Sequence, residues 1–165
     1  MKFIKLGFIS FFIFFLMATV LGLVFPSIVV VSRAIDIGVP KDSVYRFIKD
    51  INGWKKWMDG INDSTAIIES PLKAHIGRSE IIISPTHIGD SIVNATWATK
   101  NNGIQESSLQ LFQEKGQANT VVHWQFVQHI KWYPWERFAS MMSDKIMGTM
   151  MEKNLNHLKE ILDAP

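Results

Sequence analysis

The chain has 165 residues, of which 17 are Lys or Arg, 15 are Asp or Glu and none is Cys. Without cysteine it has no disulfide, iron–sulfur cluster, thiolate zinc site or cysteine nucleophile, and a formal net charge of +2 provides no basic stripe for a nucleic acid. The length predicts one domain with a core of its own.

An uncharged stretch near the amino end divides the chain into two parts. Its apolar portion, Leu6 to Phe25, would span roughly 30 Å as a helix, which is the hydrocarbon thickness of a bilayer. A cleaved signal peptide has a shorter apolar core, of about 7–15 residues, and small residues at its cleavage site. The nearest match to such a site, Ser32-Arg33-Ala34, lies well beyond the run. We therefore expect a retained transmembrane anchor over residues 1–27 and a domain over residues 28–165.

The charges on either side of this run bear on its orientation. Lys2, Lys5 and the free amino group precede it, whereas Arg33 and Lys41 follow it within about 20 residues. The positive-inside rule then favours an amino end in the cytoplasm. We expect a single-pass protein of the cell membrane with its domain on the non-cytoplasmic side, periplasmic or extracellular.

The domain begins almost directly after the span. Pro26 ends the apolar helix, and the β-branched run that follows predicts a strand. Apolar residues at positions 44, 47, 48 and 51 then predict a short helix, and Trp54 to Met58 a second helical turn. From Thr65 onward the period becomes two, which predicts five antiparallel strands between turn signals. Their ranges are Thr65–Glu69, Gly77–Ile83, Asp90–Thr99, Ile104–Lys115 and Asn119–His129.

The last third of the chain has a helical composition, but its apolar face changes side. Phe138, Met141 and Met142 share one side, whereas the apolar residues from position 147 to 162 lie nearly opposite at 100° per residue. One straight helix cannot bury both sets, so we predict a short helical piece up to about Met142 and a long amphipathic helix from about Ser143. The complete order predicts an α+β fold in which an antiparallel sheet curves around the final helix.

Gly148 lies inside that long helix. Glycine costs about 1 kcal/mol relative to alanine at such a position, so its presence predicts a close approach to the sheet.

Two segments resemble a known superfamily. The stretch from Val31 to Trp57, VSRAIDIGVPKDSVYRFIKDINGWKKW, resembles the opening of START-like proteins (SRPBCC, polyketide cyclase/dehydrase and lipid-transport type), and DKIMGTMMEKNLNHLKEIL resembles their terminal helix. The resemblance covers Val31 to Leu162 and implies a helix-grip fold, with a deep cavity between the curved sheet and the long helix. The arrangement of a membrane span directly before the domain resembles that of a common bacterial subgroup of the superfamily, whose members mostly have no assigned function.

For a cavity of this kind the sequence offers an apolar lining. Aromatic and methionine side chains suit an irregular apolar ligand, although residues of these types more often simply fill a core. The resemblance implies that Trp54 and Trp57 close one end of the grip, and large rings of this kind are interpreted as core residues. The candidate lining residues are Trp97, Phe112, Trp124, Phe126, Met147, Met150 and Met151.

A second aromatic group follows the last predicted strand. Trp132, Tyr133 and Trp135 concentrate aromatic area on a predicted loop. They either cover the cavity as a lid or contact the membrane interface, where Trp and Tyr are enriched, and ordinary packing explains them equally well.

Sequence signals for catalysis are few. The five histidines include no HExxH spacing, and His123 and His129 lie roughly 20 Å apart along one strand, too far to share a metal ion. Serine-elbow and phosphate-binding motifs are absent from the sequence, and we predict neither a metal nor a cofactor. Glu80, Asp90 and Glu106 remain candidates for a cavity-facing acid or base, although solvated strand positions are commoner.

Three functions stay open. The leading hypothesis is a membrane-anchored domain that binds a hydrophobic small molecule such as a lipid, quinone or polyketide-like compound. A cyclase or related lyase that uses a cavity-facing carboxylate or histidine is the second, and a polar cavity with two inward titratable groups would favour it. A protein-interaction module is the third, and a closed core with an exposed apolar patch elsewhere would favour it. The expected partners are the membrane and a small molecule, without nucleic acid, and the oligomeric state stays open.

Overall fold

A computed structural model describes residues 2–61, 66–85, 91–99 and 103–164. Within these ranges the elements follow the predicted order of an amino-terminal helix, a strand, two short helices, a run of strands, a short helix and a long final helix. They are α1 (Lys2–Val24), β1 (Ile28–Ile37), α2 (Lys41–Ile48), α3 (Ile51–Trp57), β2 (Ala66–Ser70), β3 (Lys73–Ile76), β4 (Ser79–Pro85), β5 (Ile92–Thr99), β6 (Gly103–Phe112), β7 (Thr120–His129), α4 (Pro134–Ser140) and α5 (Ser143–Asp163).

The strands form one antiparallel sheet in the order β1-β7-β6-β5-β4-β3-β2. The first strand therefore pairs with the last one, Val31 opposite Phe126 and Arg33 opposite Trp124. Helix α5 packs along β1, and α2 contacts β6. The curved sheet and the long final helix confirm the predicted α+β helix-grip arrangement.

The structure contains one strand that the sequence pattern does not predict. β3, Lys73–Ile76, is only four residues long, which is too short for its alternation to be recognised. Gly77, predicted to begin the following strand, has a φ of +58° and lies in the turn before β4 instead. Glycine is favoured there because other residues rarely adopt this left-handed conformation.

Helix α1 projects from the domain. Its segment Phe3–Val24, 22 residues long, is apolar and long enough to cross a membrane, a test that a signal sequence also passes. Large apolar side chains are exposed around its whole circumference. Its carboxy-terminal part contacts the domain: a Cβ added to Gly22 would lie 3.3 Å from the Cα of Pro134 in α4.

The prediction that Gly148 has a packing reason is confirmed, and the neighbour is a side chain of β1. Gly148 is buried in α5, where an added Cβ would lie 2.6 Å from Cζ of Arg33. The Arg33 Nε donates to Glu152 Oε1 at 2.6 Å and its Nη1 to Asp144 Oδ1 at 3.1 Å. The absence of a Cβ therefore lets the Arg33 guanidinium lie across the helix between two carboxylates.

Candidate functional site on the inner face of the sheet

Strand alternation assigns three of the four predicted lining residues that lie on strands to the inner face, which packs against the helices. In β7, Trp124 and Phe126 are buried on the inner face. His123, which alternates with them, lies on the outer face, as predicted. Trp97 of β5 is partly buried against the same core. Met151 of α5 is fully buried in it.

Five inner rings form a closed aromatic circuit. Trp54 lies 6.0 Å from Trp57 and 5.8 Å from Trp97, measured between ring centroids. Trp57 lies 5.6 Å from Trp124, and Phe126 lies 5.4 Å from Trp124 and 5.5 Å from Trp97. These separations are those of direct aromatic packing. The circuit connects α3 to β5 and β7, and confirms that Trp54 and Trp57 belong to the core.

Hydrogen bonds hold three of the indole rings in place. Trp54 Nε1 donates to the carbonyl of Ile48 at 2.6 Å, and Trp57 Nε1 donates to the carbonyl of Phe47 at 3.0 Å. Both carbonyls lie near the end of α2, so these bonds also fix α3 against α2. Trp97 Nε1 donates to Ser107 Oγ at 2.8 Å, and Ser107 is only 5% exposed. The inner face thus carries a polar hydroxyl within an otherwise apolar wall.

Two buried donors of the inner region lack partners among the residues that the structure describes. They are Nε1 of Trp124 and Nδ2 of Asn154. The Asn154 amide faces the end of α3, because its Oδ1 accepts a hydrogen bond from the Asp59 backbone at 3.0 Å. An N–H donor buried without an acceptor costs about 1–3 kcal/mol.

The three predicted methionines of α5 lie at different depths. Met151 is fully buried, Met147 is partly buried against the core and Met150 is 41% exposed. At 100° per residue, Met150 and Ile146 lie on the flank of α5 opposite Glu152. Ile146 is also exposed, whereas Glu152 contacts Arg33 of β1. The first turns of this flank are therefore apolar, and Met147 lies between them and the core.

Phe112 does not belong to this set, and its prediction as a lining residue is wrong. Leu109 and Leu111 of β6 are buried, so the alternation turns Phe112 to the outer face. There it pairs with Val121 of β7 and is 55% exposed. The apolar character of Phe112 gave no information about its side of the sheet.

The predicted acid and base candidates lie away from the inner face. Glu80 pairs in register with Ala98 on the outer face and forms an ion pair of 2.7 Å with Lys73, while Glu106 is exposed on the outer face of β6. Asp90 lies outside the described residues. The pKa of Lys73 is raised by its hydrogen bond to Glu80 and, next, by that to Glu69, whose own pKa is lowered mainly by Lys73. These groups form a surface ion network.

The inner face also carries a charged residue, Arg33, which the sequence motifs do not single out. Arg33 lies on the same face of β1 as Val31 and Ile35. The sequence signal for its role is this position of a cation on an otherwise apolar strand face. Hydrogen bonds to Asp144 and then Glu152 raise the pKa of Arg33. In the described ranges, no cluster of three or more His, Asp or Glu side chains is placed to hold a metal ion.

Trp132 and Trp135 lie on the surface beside the end of α1. They are 54% and 59% exposed, and Tyr133 stacks between them with ring centroids 4.8 and 5.1 Å away. Pro134, the next residue to Tyr133, contacts Gly22. The three rings are therefore close in the chain to the residue of α4 that meets the end of α1.

Comparison with known proteins supports the fold class. No protein-family model and no curated protein matches this chain. Among solved structures, a START superfamily protein from Mycobacterium smegmatis matches over 81% of this chain and 97% of its own, with 12% identity and a TM-score of 0.61. CalU16 from Micromonospora echinospora matches over 84% of both chains, with 14% identity and a TM-score of 0.56.

A third similar structure is the di-domain ARO/CYC StfQ from the steffimycin biosynthetic pathway. The match covers 82% of this chain and 51% of that one, with 9% identity and a TM-score of 0.57. At these identities the similarity establishes the fold alone. The topology and these neighbours define a START-like, helix-grip fold, preceded in this chain by one apolar helix.

Proposed function

We propose that this protein is a single-pass membrane protein whose helix-grip domain binds a hydrophobic small molecule between α5 and the inner face of the sheet. The observation that carries the proposal is the composition of that region. It is apolar and aromatic, with Trp97 and Met147 only partly buried at its edge and Ser107 as its buried hydroxyl. Methionine side chains repack readily around irregular apolar ligands.

The class of ligand follows from the same side chains. Ligand pockets of mostly apolar wall with few polar groups select apolar molecules and orient them by those groups. The Ser107 hydroxyl, which already accepts from Trp97, is available to donate to a ligand oxygen. A lipid, quinone or polyketide-like compound, each with an apolar body and oxygen atoms, fits this description.

The anchor is expected to be retained in the mature protein. Its apolar segment is longer than the core of a signal peptide. Amino-terminal sequencing of protein purified from its own membrane should return the sequence that precedes the apolar helix, and the protein should resist extraction with alkaline carbonate. A mature chain that begins near Arg33 would contradict the anchor. The positive charges before the span favour an amino end in the cytoplasm and a non-cytoplasmic domain.

The ligand is tested by native mass spectrometry of the full chain extracted from its own membrane. We expect an additional mass from one small molecule on the wild-type protein. Met147→Trp should abolish it because the larger ring fills the space between α5 and the sheet. Thr149→Trp is the matched control on an exposed position of the same helix and should retain the added mass. Unmodified mass for the wild-type protein, or equal occupancy in both variants, would contradict the proposed site.

A protein-interaction module with a filled core is the second candidate, and the closed aromatic circuit favours it. Five rings in direct contact occupy much of the space that a deep cavity would need. A wild-type protein without any bound small molecule is the result that this candidate predicts. The enzymatic alternative has no such support among the described residues, because Glu80 and Glu106 face away from the inner side.

A further inference from the structure

Helix α4 turns its polar side toward the protein and its apolar side outward. Arg137 and Ser140 are buried, with 7% and 8% of their surface exposed. In contrast, Trp135 is 59% exposed, Phe138 42% and Met141 63%. At 100° per residue the exposed residues share one side, which Met142, directly after the helix, extends. This orientation is the reverse of that of a helix at the surface of a water-soluble domain.

The inward polar side is held by backbone carbonyls. Arg137 donates from Nε to the carbonyl of Lys131 at 3.0 Å and from Nη1 to the carbonyl of Phe25, just after α1. The Ser140 hydroxyl donates to the carbonyl of Arg137 at 2.7 Å. A buried cation is tolerated only when it is hydrogen-bonded. Rotation of α4 to bury its apolar side would lose the two Arg137 bonds to the carbonyls of Lys131 and Phe25, which lie outside the helix, so these bonds favour the observed orientation.

The contact with α1 defines the depth of α4. A Cβ on Gly22 would lie 3.3 Å from Pro134 Cα, and the rings of Phe25 and Phe138 lie 5.5 Å apart. Gly22 is two residues before the end of α1, or about 3 Å along its axis. A 22-residue apolar helix is about 33 Å long, slightly more than the hydrocarbon core. The start of α4 therefore lies beside the boundary of that core.

We propose that the outward face of α4, formed by Trp135, Phe138, Met141 and Met142, inserts into the boundary between headgroups and acyl chains of the bilayer that α1 spans. The inference rests on the membrane anchor of the proposed function. The partner is a lipid surface because the face is continuous with the exposed apolar side chains of α1 and includes an aromatic residue typical of the membrane interface. Two attachments, α1 and α4, then orient the domain relative to the membrane.

Single-cysteine labelling tests this proposal, since the natural chain has no cysteine. Full-length Trp135→Cys and Met141→Cys variants, each carrying a nitroxide, are reconstituted in vesicles of phosphatidylcholine and phosphatidylglycerol. Collision of the nitroxide with dissolved oxygen and with a water-soluble nickel chelate reports its depth. Ile13→Cys in α1 is the lipid reference and Asn156→Cys, exposed on α5, is the aqueous reference. Circular dichroism verifies that each variant is folded.

We expect both α4 labels to collide several-fold less with the nickel chelate than the label at position 156 does. Nickel accessibility equal to that of position 156 at both α4 positions, with position 13 in lipid, would overturn the proposal and leave the anchor intact. An aqueous signal at position 13 as well would overturn the anchor and the insertion of α4 together.

Discussion

Trp54→Ala should lower the free energy of unfolding by about 3–5 kcal/mol, as is typical for the truncation of a buried tryptophan. Trp54 is completely buried and packs against the rings of Trp57 and Trp97. Its removal interrupts the aromatic circuit and leaves the Ile48 carbonyl without its donor. Because domains are stable by only about 5–15 kcal/mol, this loss is a large part of the total. Urea unfolding of the full chain in detergent, followed by circular dichroism, measures it.

Two further variants separate the packing of Trp54 from its hydrogen bond. Trp54→Phe keeps a ring but removes the donor to Ile48, and the unpaired carbonyl should cost about 1–3 kcal/mol. Trp132→Ala removes a ring that is 54% exposed, so in detergent it should change the free energy of unfolding by no more than about 0.5 kcal/mol. Equal stability of Trp54→Ala and Trp132→Ala would show that Trp54 has no role in the core.

The second large effect is expected at Gly148. Gly148→Leu should destabilise the protein by about 1–3 kcal/mol through overpacking, with a melting temperature several degrees lower. The new side chain would occupy the position of the Arg33 guanidinium, which its bonds to Asp144 and Glu152 hold across the helix. Thermal unfolding of the full chain in detergent gives the measurement.

Thr149, the next residue in α5, and Arg33, which lies against Gly148, provide the controls. Thr149→Leu introduces the same side chain one residue later, at an exposed position, and should leave the melting temperature unchanged. Combining Gly148→Leu with Arg33→Ala removes the group that the leucine meets, so the two destabilisations should sum to more than that of the double variant. Strict additivity would mean that Arg33 and Gly148 do not interact.

The aromatic circuit also constrains how a ligand could be held. Three of its five members, Trp54, Trp57 and Trp124, are fully buried, whereas Trp97 is partly buried. Displacement of a fully buried ring would forfeit packing worth several kcal/mol. A ligand is therefore expected toward Trp97 and the methionines of α5, where side chains are adaptable.

Patterns along the chain were sufficient to predict those features of this protein that depend on neighbouring residues. The length of the apolar run predicts α1, and the alternation of β7 places Trp124 and Phe126 on one face. The change of apolar side near Met142 predicts the break between α4 and α5. The cost of glycine within a helix indicated a close contact at Gly148. Each of these inferences follows from a backbone period or a local propensity.

Tertiary structure decided what the faces of several elements contact. Phe112 lies outside because its strand alternates with Leu111 inward, and Glu80 forms an ion pair with Lys73 across two strands. Arg33 of β1 and Asp144 of α5 are 111 residues apart in the chain, and only the fold brings them together. Local apolar periodicity identifies the apolar face of a helix or strand, but not the groups that pack against that face. The exposed face of α4 shows this most clearly, since its direction depends on carbonyls supplied by other segments.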